Sequence, residues 1–175
     1  MKILIAAAVL AAAPMIAQAQ DAPATGVYAG VGYAAAQGDD VDLGAIQGRL
    51  GYRFNPYLGV EGELGFGVKD DKVNVAGVDA KVKLQHQEAV YGVAFAPVSA
   101  NTDLLARIGY GNTSIKASAL GASQTGDGDS WNFGVGAQHH FDGQNGVRVD
   151  YTRQEFRDDG AGHADVWAVG YTRRF

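Results

Sequence analysis

Eight stretches of this chain alternate with a period of two, and that periodicity limits the fold more than any other feature. Successive side chains on a strand leave opposite faces, so period two means strands. In residues 26–36, Val27, Ala29, Val31 and Tyr33 oppose Gly30 and Gly32; in 45–54, Ile46, Leu50, Tyr52 and Phe54 oppose Gln47, Arg49, Gly51 and Arg53. Residues 57–67 set Leu58, Val60, Leu64 and Phe66 against Glu61, Glu63 and Gly65. Residues 82–95 set Ala89, Tyr91, Val93 and Phe95 against Glu88, Val90 and Gly92. The same alternation runs through 103–112 (Leu104, Ala106, Ile108 and Tyr110 against Leu105, Arg107, Gly109 and Gly111) and through 130–141 (Trp131, Phe133, Val135, Ala137 and Phe141 against Asn132, Gly134, Gly136, Gln138 and His140). It continues in 146–156, where Val147, Val149 and Tyr151 oppose Arg148, Asp150 and Thr152. It ends on Trp167, Val169, Tyr171, Arg173 and Phe175, with Thr172 and Arg174 on the other side. After residue 20 no helical period persists beyond two turns.

The connections alternate too. Asn55-Pro56, the stretch from Pro97 to Thr102, and Asp142–Asn145 are short and have turn compositions. Residues 37–42, 68–82, 113–129 and 157–164 are longer and polar, and are expected to be loops. Strict short–long alternation describes a hairpin meander whose two ends meet different surroundings. It predicts an all-β chain, an eight-stranded antiparallel up-and-down barrel.

The compartment is expected from the N-terminus. Lys2 precedes an apolar run of 15 residues and the small-residue pattern Ala17-Gln18-Ala19, the plan of a secretory signal peptide over 1–19. The remaining barrel domain, 20–175, carries 13 basic and 19 acidic residues, a net charge of −6, which argues against nucleic acid as a partner. There are no cysteines, so disulfides, thiolate zinc sites and cysteine nucleophiles are excluded.

An apolar face opposite a glycine-and-charge face suits a soluble sheet, or, turned inside out, a transmembrane β-barrel. Three details favour the membrane. Glycine crowds the polar face, as a narrow interior requires. The charges on that face balance in sign: Arg49, Arg53, Arg107 and Arg148 against Glu61, Glu63, Glu88 and Asp150. Enclosed charge needs such compensation. Aromatics also end many apolar faces (Tyr52, Phe54, Phe66, Phe95, Tyr110, Trp131, Phe141, Tyr171 and Phe175), as interfacial girdles would. The eight charges are expected to form a lumen network, with Arg107 and Arg148 pairing with carboxylates on neighbouring strands.

On GVYAGVGYA at the first strand, RLGYRFNPYLGVEGELGFG across the first turn, GVRVDYT in the seventh strand and VGYTRRF at the end, the chain resembles the OmpA-like and opacity-protein-like small outer-membrane β-barrel family. The resemblance covers the whole exported chain. It implies the cell outer membrane, contact with outer-membrane lipid and lipopolysaccharide, and insertion by the barrel assembly machinery. In that family a terminal aromatic on an alternating last strand is the assembly signal, which Phe175 with Tyr171 matches. The long loops are then candidates for an extracellular ligand, and tethering to peptidoglycan, which belongs to a further domain of OmpA itself, is not expected.

No chemistry of a catalytic kind emerges. His139 and His140 are consecutive, so their imidazoles leave opposite faces and cannot readily share a metal. The His-x-Ser pair of outer-membrane lipid A deacylases is absent, since Phe141 and Asp142 occupy the positions two after each histidine. The acidic groups Asp39, Asp40 and Asp42, Asp70 and Asp71, Asp127 and Asp129, and Asp158 and Asp159 lack the spacing of a calcium loop. No cofactor and no enzyme activity is expected. The leading expectation is a structural or surface-interaction protein with a plugged lumen. The alternatives are a small ion channel or lipid-modifying enzyme, and a soluble periplasmic lipocalin-like barrel.

Overall fold

The computed structural model describes residues 25–37, 42–75, 78–119, 122–157 and 162–175. The predicted signal peptide lies outside the described residues, as do Asp39, Asp40, Asp158 and Asp159. The alternating stretches form strands β1 (Gly26–Gln37), β2 (Asp42–Asn55), β3 (Leu58–Lys69), β5 (Val78–Ser99), β6 (Thr102–Ala119), β7 (Ala122–His140), β8 (Asn145–Phe156) and β9 (His163–Arg174). A short β4 (Asp71–Val75) pairs with the outer end of β5. Every pairing is antiparallel, and the sheet closes on itself because β3 pairs with β5 and β1 with β9. Eight strands thus make a closed up-and-down barrel, with β4 as an appendage on one arm.

Closure consumes the last strand completely. The N–H of Phe175 donates to the carbonyl of Val27 at 3.0 Å, beyond the ladder that sets Tyr28 opposite Arg174 and Gln37 opposite Asp165. Strand edges exposed to lipid would leave backbone groups with no partner, so closure is the condition for crossing a membrane.

Short turns gather at one end. Asn55 Oδ1 accepts from the N–H groups of Tyr57 (2.8 Å) and Leu58 (2.9 Å). Asp142 Oδ1 accepts from Gln144 (3.0 Å) and Asn145 (2.6 Å), with Gly143 at φ 82° completing the turn. The backbone N–H of Asn145, its side chain and the N–H of Gln144 hold the Asp142 carboxyl below the usual carboxylate range.

At the other end the expected loops over 68–82 and 113–129 are mostly strand. β6 and β7 stay paired from Thr102 opposite His139 up to Ala119 opposite Ala122, and β5 runs with β6 as far as Lys81 opposite Ser118. The apolar alternation fades there because, beyond the small cluster of Leu43, Ala45, Leu84, Val82 and Ile115 at their base, the arms meet water, so little demands an apolar side.

The apolar faces point outward. Leu50, Leu64, Ile108, Val135 and Val169 are exposed on the barrel wall, which overturns the lipocalin-like alternative with its apolar interior. Aromatic pairs border this wall at both ends: Tyr52 with Phe54 (5.4 Å) below, Tyr110 with Trp131 (5.4 Å) and Tyr151 with Trp167 (5.0 Å) above. From Trp167 to Phe175 the strand runs about 26 Å, or roughly 20 Å of membrane depth after tilt, close to the height of an outer-membrane hydrocarbon band.

One strand is inverted relative to expectation. On β5 the side chains of Ala89, Tyr91, Val93 and Phe95 are buried inside, and Glu88 and Val90 are exposed outside. Both faces of this segment are largely apolar, so apolarity could not orient it; the room left by glycines on neighbouring strands does. Tyr91 stands opposite Gly109 and Tyr28 opposite Gly51, each ring filling the space a Cβ would take. A register shift between Leu84 and His86 then returns Leu84 and Val82 to the inward side farther out, where Leu84 packs with Leu43 and Ala45.

This steric arrangement predicts the effect of two glycine substitutions. A Cβ on Gly109 would lie 2.3 Å from the Val90 carbonyl oxygen and 2.5 Å from the Tyr91 ring, whereas one on outward Gly62 would meet only the Leu50 oxygen at 3.9 Å. Gly109→Ala is expected to destabilise the barrel by about 1–3 kcal/mol, and Gly62→Ala by less than about 0.5 kcal/mol. Urea titration of the heat-modifiable folded band in bilayers measures both.

Candidate functional site

An interior bounded by eight strands is just wide enough to be filled by side chains, and those of this chain meet in two charged groups. The larger lies at mid-depth and joins β2, β3, β6 and β8. Glu61, 1 % exposed, accepts from both terminal nitrogens of Arg148, the second at 3.1 Å, and from the Tyr28 hydroxyl at 2.7 Å. Glu63 accepts from Arg107 at 2.6 Å and Arg49 at 3.0 Å. Asp150 accepts from Arg148 Nε at 2.9 Å and forms an ion pair with Arg49, whose Nη2 lies 3.1 Å away. Three guanidiniums thus face three carboxylates. Arg107 also donates to Thr152 Oγ1 from Nε at 3.2 Å and lies over the Tyr91 ring, 4.3 Å from its centroid.

The second group sits near the short-turn end. Arg53 grips Asp103 with two nitrogens, each at 3.1 Å, and stacks 4.2 Å from the centroid of Phe95. Gln138 (2.8 Å) and Arg174 (2.6 Å) donate to the same carboxylate. His140 is fully buried beside them, with no hydrogen-bond partner at either ring nitrogen among the described residues.

Of the eight charges expected in the lumen, Arg49, Glu61, Glu63, Arg107, Arg148 and Asp150 converge in the central group and Arg53 belongs to the lower one. Glu88 does not join them. It is exposed on the outer wall, opposite Leu64 and Asn112, because the inverted β5 gives its inward places to Tyr91 and Phe95. Phe95, for the same reason, is not part of the outer girdle. Sequence reasoning missed Asp103, Tyr28, Tyr91 and Thr152 as partners. Asp103 shares the parity of Arg107 on β6 but begins the segment, where alternation is hardest to see. Tyr28 shares the parity of Gly30.

The remaining space is small. One cavity beside Arg49, Arg148 and Asp150 has about 20 Å³, and one beside Arg53, His140 and Arg174 about 10 Å³, room for about one water each. At the depth of these two groups the side chains of the described residues plug the lumen. No group of three potential metal-ligating side chains occurs among the described residues, and His139 Nδ1 lies 2.9 Å from Thr102 Oγ1 with its ring against Phe141. The carboxylates of both groups face guanidiniums that neutralise them, an arrangement that ties distant strands together across the lumen.

A closed eight-stranded barrel with an apolar wall, two aromatic borders and a charge-compensated interior is a transmembrane barrel of the outer-membrane kind. The chain belongs to the outer membrane protein beta-barrel domain family, whose profile matches residues 4–175. Among solved structures it is similar to Ail, the attachment invasion locus protein of Yersinia pestis, crystallised with the heparin analogue sucrose octasulfate (21 % identity, TM-score 0.63, covering 87 % of this chain and 100 % of that one). OprG of Pseudomonas aeruginosa (13 % identity, TM-score 0.63, 89 % and 98 % covered) and Neisserial surface protein A (11 %, TM-score 0.61, 85 % and 96 %) share the same fold. No curated protein matches the chain.

Breaking the central group separates inward from outward carboxylates. Glu61→Ala leaves Arg148 without its principal partner and is expected to destabilise by about 3–5 kcal/mol, whereas Glu88→Ala changes stability by less than about 0.5 kcal/mol. Denaturant unfolding in bilayers compares them directly.

Proposed function

We propose that this protein is a structural and surface-interaction component of the outer membrane whose barrel anchors the arms built on β4 to β7 outside the cell. The observation that carries this reading is the plugged lumen: with the interior filled by paired charges, what is left to meet a partner is the outer wall and the projecting arms. On this reading residues 1–19 direct export and are removed, and the wall contacts outer-membrane lipid and lipopolysaccharide. An extracellular ligand engages the arms or the connections between them.

The last strand supports an assembly role for its aromatics. Phe175 is 69 % exposed on the outer wall, with the Arg173 guanidinium 5.6 Å from its ring centroid, and Tyr171 lies two positions further along the same face, its hydroxyl donating to Asn145. Nothing inside the barrel needs the Phe175 ring. Its place is where the assembly machinery would meet it.

Phe175→Ala is therefore expected to fold in detergent like wild type yet accumulate several-fold less in the outer-membrane fraction of cells. Equal accumulation would remove the assembly role. In planar bilayers, wild type is expected to give no conductance steps. Steady single-channel currents from it would replace the structural reading by a channel.

A further inference from the structure

The basic residues of the chain are divided by type. Arginines fill the lumen and the C-terminal ends of β8 and β9, while every lysine after Lys2 (69, 72, 81, 83 and 116) lies on the arms from the end of β3 to β6. The ladders arrange the outward face of these arms in layers. Val90, Tyr110 and Trp131 form a row at the upper aromatic border. Glu88, Asn112 and Asp129 form the next, and Asp129 accepts from Asn112 at 3.0 Å. Asp127 stands opposite Ser114 one step farther out. Beyond these acids Lys83 stands directly opposite Lys116, with Lys81 opposite Ser118 as the next step. Val82, Leu84 and Ile115 turn to the inward side of the same segments, which leaves Lys81, Lys83 and Lys116 outward.

Like charges directly opposite one another in a ladder destabilise it. Lys81 pairs with Asp70 at 2.7 Å and the Lys83 charge reaches the same carboxylate, but neither Lys83 nor Lys116 makes an ion pair of its own among the described residues. A chain of net acidic charge has thus concentrated its lysines in one place and set them in two facing pairs, Lys72 opposite Lys81 and Lys83 opposite Lys116. An anion between the latter two would convert the repulsion into binding. The face also fixes where that anion comes from. It looks sideways, on the same side as Val90 and Tyr110, so its neighbour is the surrounding membrane surface, not the lumen or the tip of the arm. The acidic row at the hydrocarbon boundary disfavours anions there, and the lysines lie about 13 Å farther along the strand, or roughly 10 Å higher after tilt.

Resting on the outer-membrane reading, we propose that Lys83 and Lys116, with Lys81 beside them, bind phosphate groups on the core sugars of the outer-leaflet glycolipid, one layer above the phosphates at the hydrocarbon boundary. Lysine suits this contact because a compact, hydrated ammonium on a flexible stem can reach scattered phosphates without a fixed fork geometry.

The test uses the full exported chain folded in phosphatidylcholine nanodiscs, as wild type, as Lys83→Gln/Lys116→Gln and as Lys83→Arg/Lys116→Arg. The probes are lipopolysaccharide with a phosphorylated core, the same glycolipid with its core dephosphorylated, lipid A alone, heparin and inorganic phosphate. The phosphorylated core is expected to raise the wild-type unfolding midpoint. The glutamine variant is expected to lose most of that rise and bind roughly tenfold more weakly, while the arginine variant keeps both. Without glycolipid the glutamine variant unfolds at or above the wild-type temperature, since the repulsion has gone. An equal rise in the glutamine variant, or with the dephosphorylated core, overturns the proposal. An equal rise with lipid A alone moves the contact to the boundary phosphates, and stabilisation by heparin or inorganic phosphate without any by glycolipid replaces it with a soluble anion; either result overturns it. Failure of the chain to insert into the bilayer at all would instead refute the outer-membrane reading.

Discussion

The structure depends on the pairing of backbone groups where no water can reach them. An unpaired N–H or C=O in hydrocarbon is expensive enough that a sheet crossing a membrane must have no edge. From that requirement follows the commitment of the last strand to the first, and because every pairing is antiparallel the closed ring has an even number of spanning strands. Ordinary chain ends fray, but here the final N–H, that of Phe175, is bonded to Val27 because the ladder needs it. Once the ring is closed its outer wall must be apolar and its interior is fixed in width. The rest of the sequence works within those limits.

The interior is where the limits conflict. Eight strands leave space too narrow for a pore yet too wide to be filled by alanine and glycine, and charged residues are costly there unless paired. The chain meets this with long planar groups in a fixed stoichiometry. Arg49, Arg107 and Arg148 interleave with Glu61, Glu63 and Asp150, and aromatic rings from Tyr28, Tyr91 and Phe95 fill the volume that the ion pairs leave. The glycines are part of the same solution. Gly51 and Gly109 supply depressions in the inner wall that the rings of Tyr28 and Tyr91 occupy, so removing a side chain on one strand makes room for a large one on the next.

How much of this was legible in the sequence follows from which residues meet strongly different environments on their two faces. Strand β3, with Leu58, Val60 and Leu64 against Glu61 and Glu63, could be read and oriented without ambiguity, as could β2, β6, β8 and β9. The membrane-spanning part of β5 could be recognised as a strand but not oriented. Its two faces differ little in polarity, and what decides between them is a ring meeting a glycine on a strand whose register is unknown from sequence. Asp103 was hidden in another way, since its role is to neutralise Arg53 and Arg174 from strands distant in the chain. The extended arms of β5, β6 and β7 were missed as strands because beyond the cluster at Leu84 and Ile115 they meet water, where alternation loses its cause.

That last point also separates what the fold explains from what it leaves free. Ail and OprG reach TM-scores of 0.63 with this chain at 21 % and 13 % identity, so a great variety of side chains satisfies the wall and the ladder. Residues under those constraints therefore say little about what distinguishes one such protein from another. The distinguishing signal should lie where the membrane imposes no pattern and a local arrangement is nevertheless unfavourable by itself. In the lumen no such arrangement carries charge beyond its own partners at mid-depth, because three guanidiniums answer three carboxylates. On the arms, Lys83 stands opposite Lys116 with neither in an ion pair among the described residues, and Asp70, which the Lys83 charge reaches, is already paired with Lys81. A ladder position that repels itself is a cost the fold does not require, and on the proposed reading the glycolipid phosphates offset it.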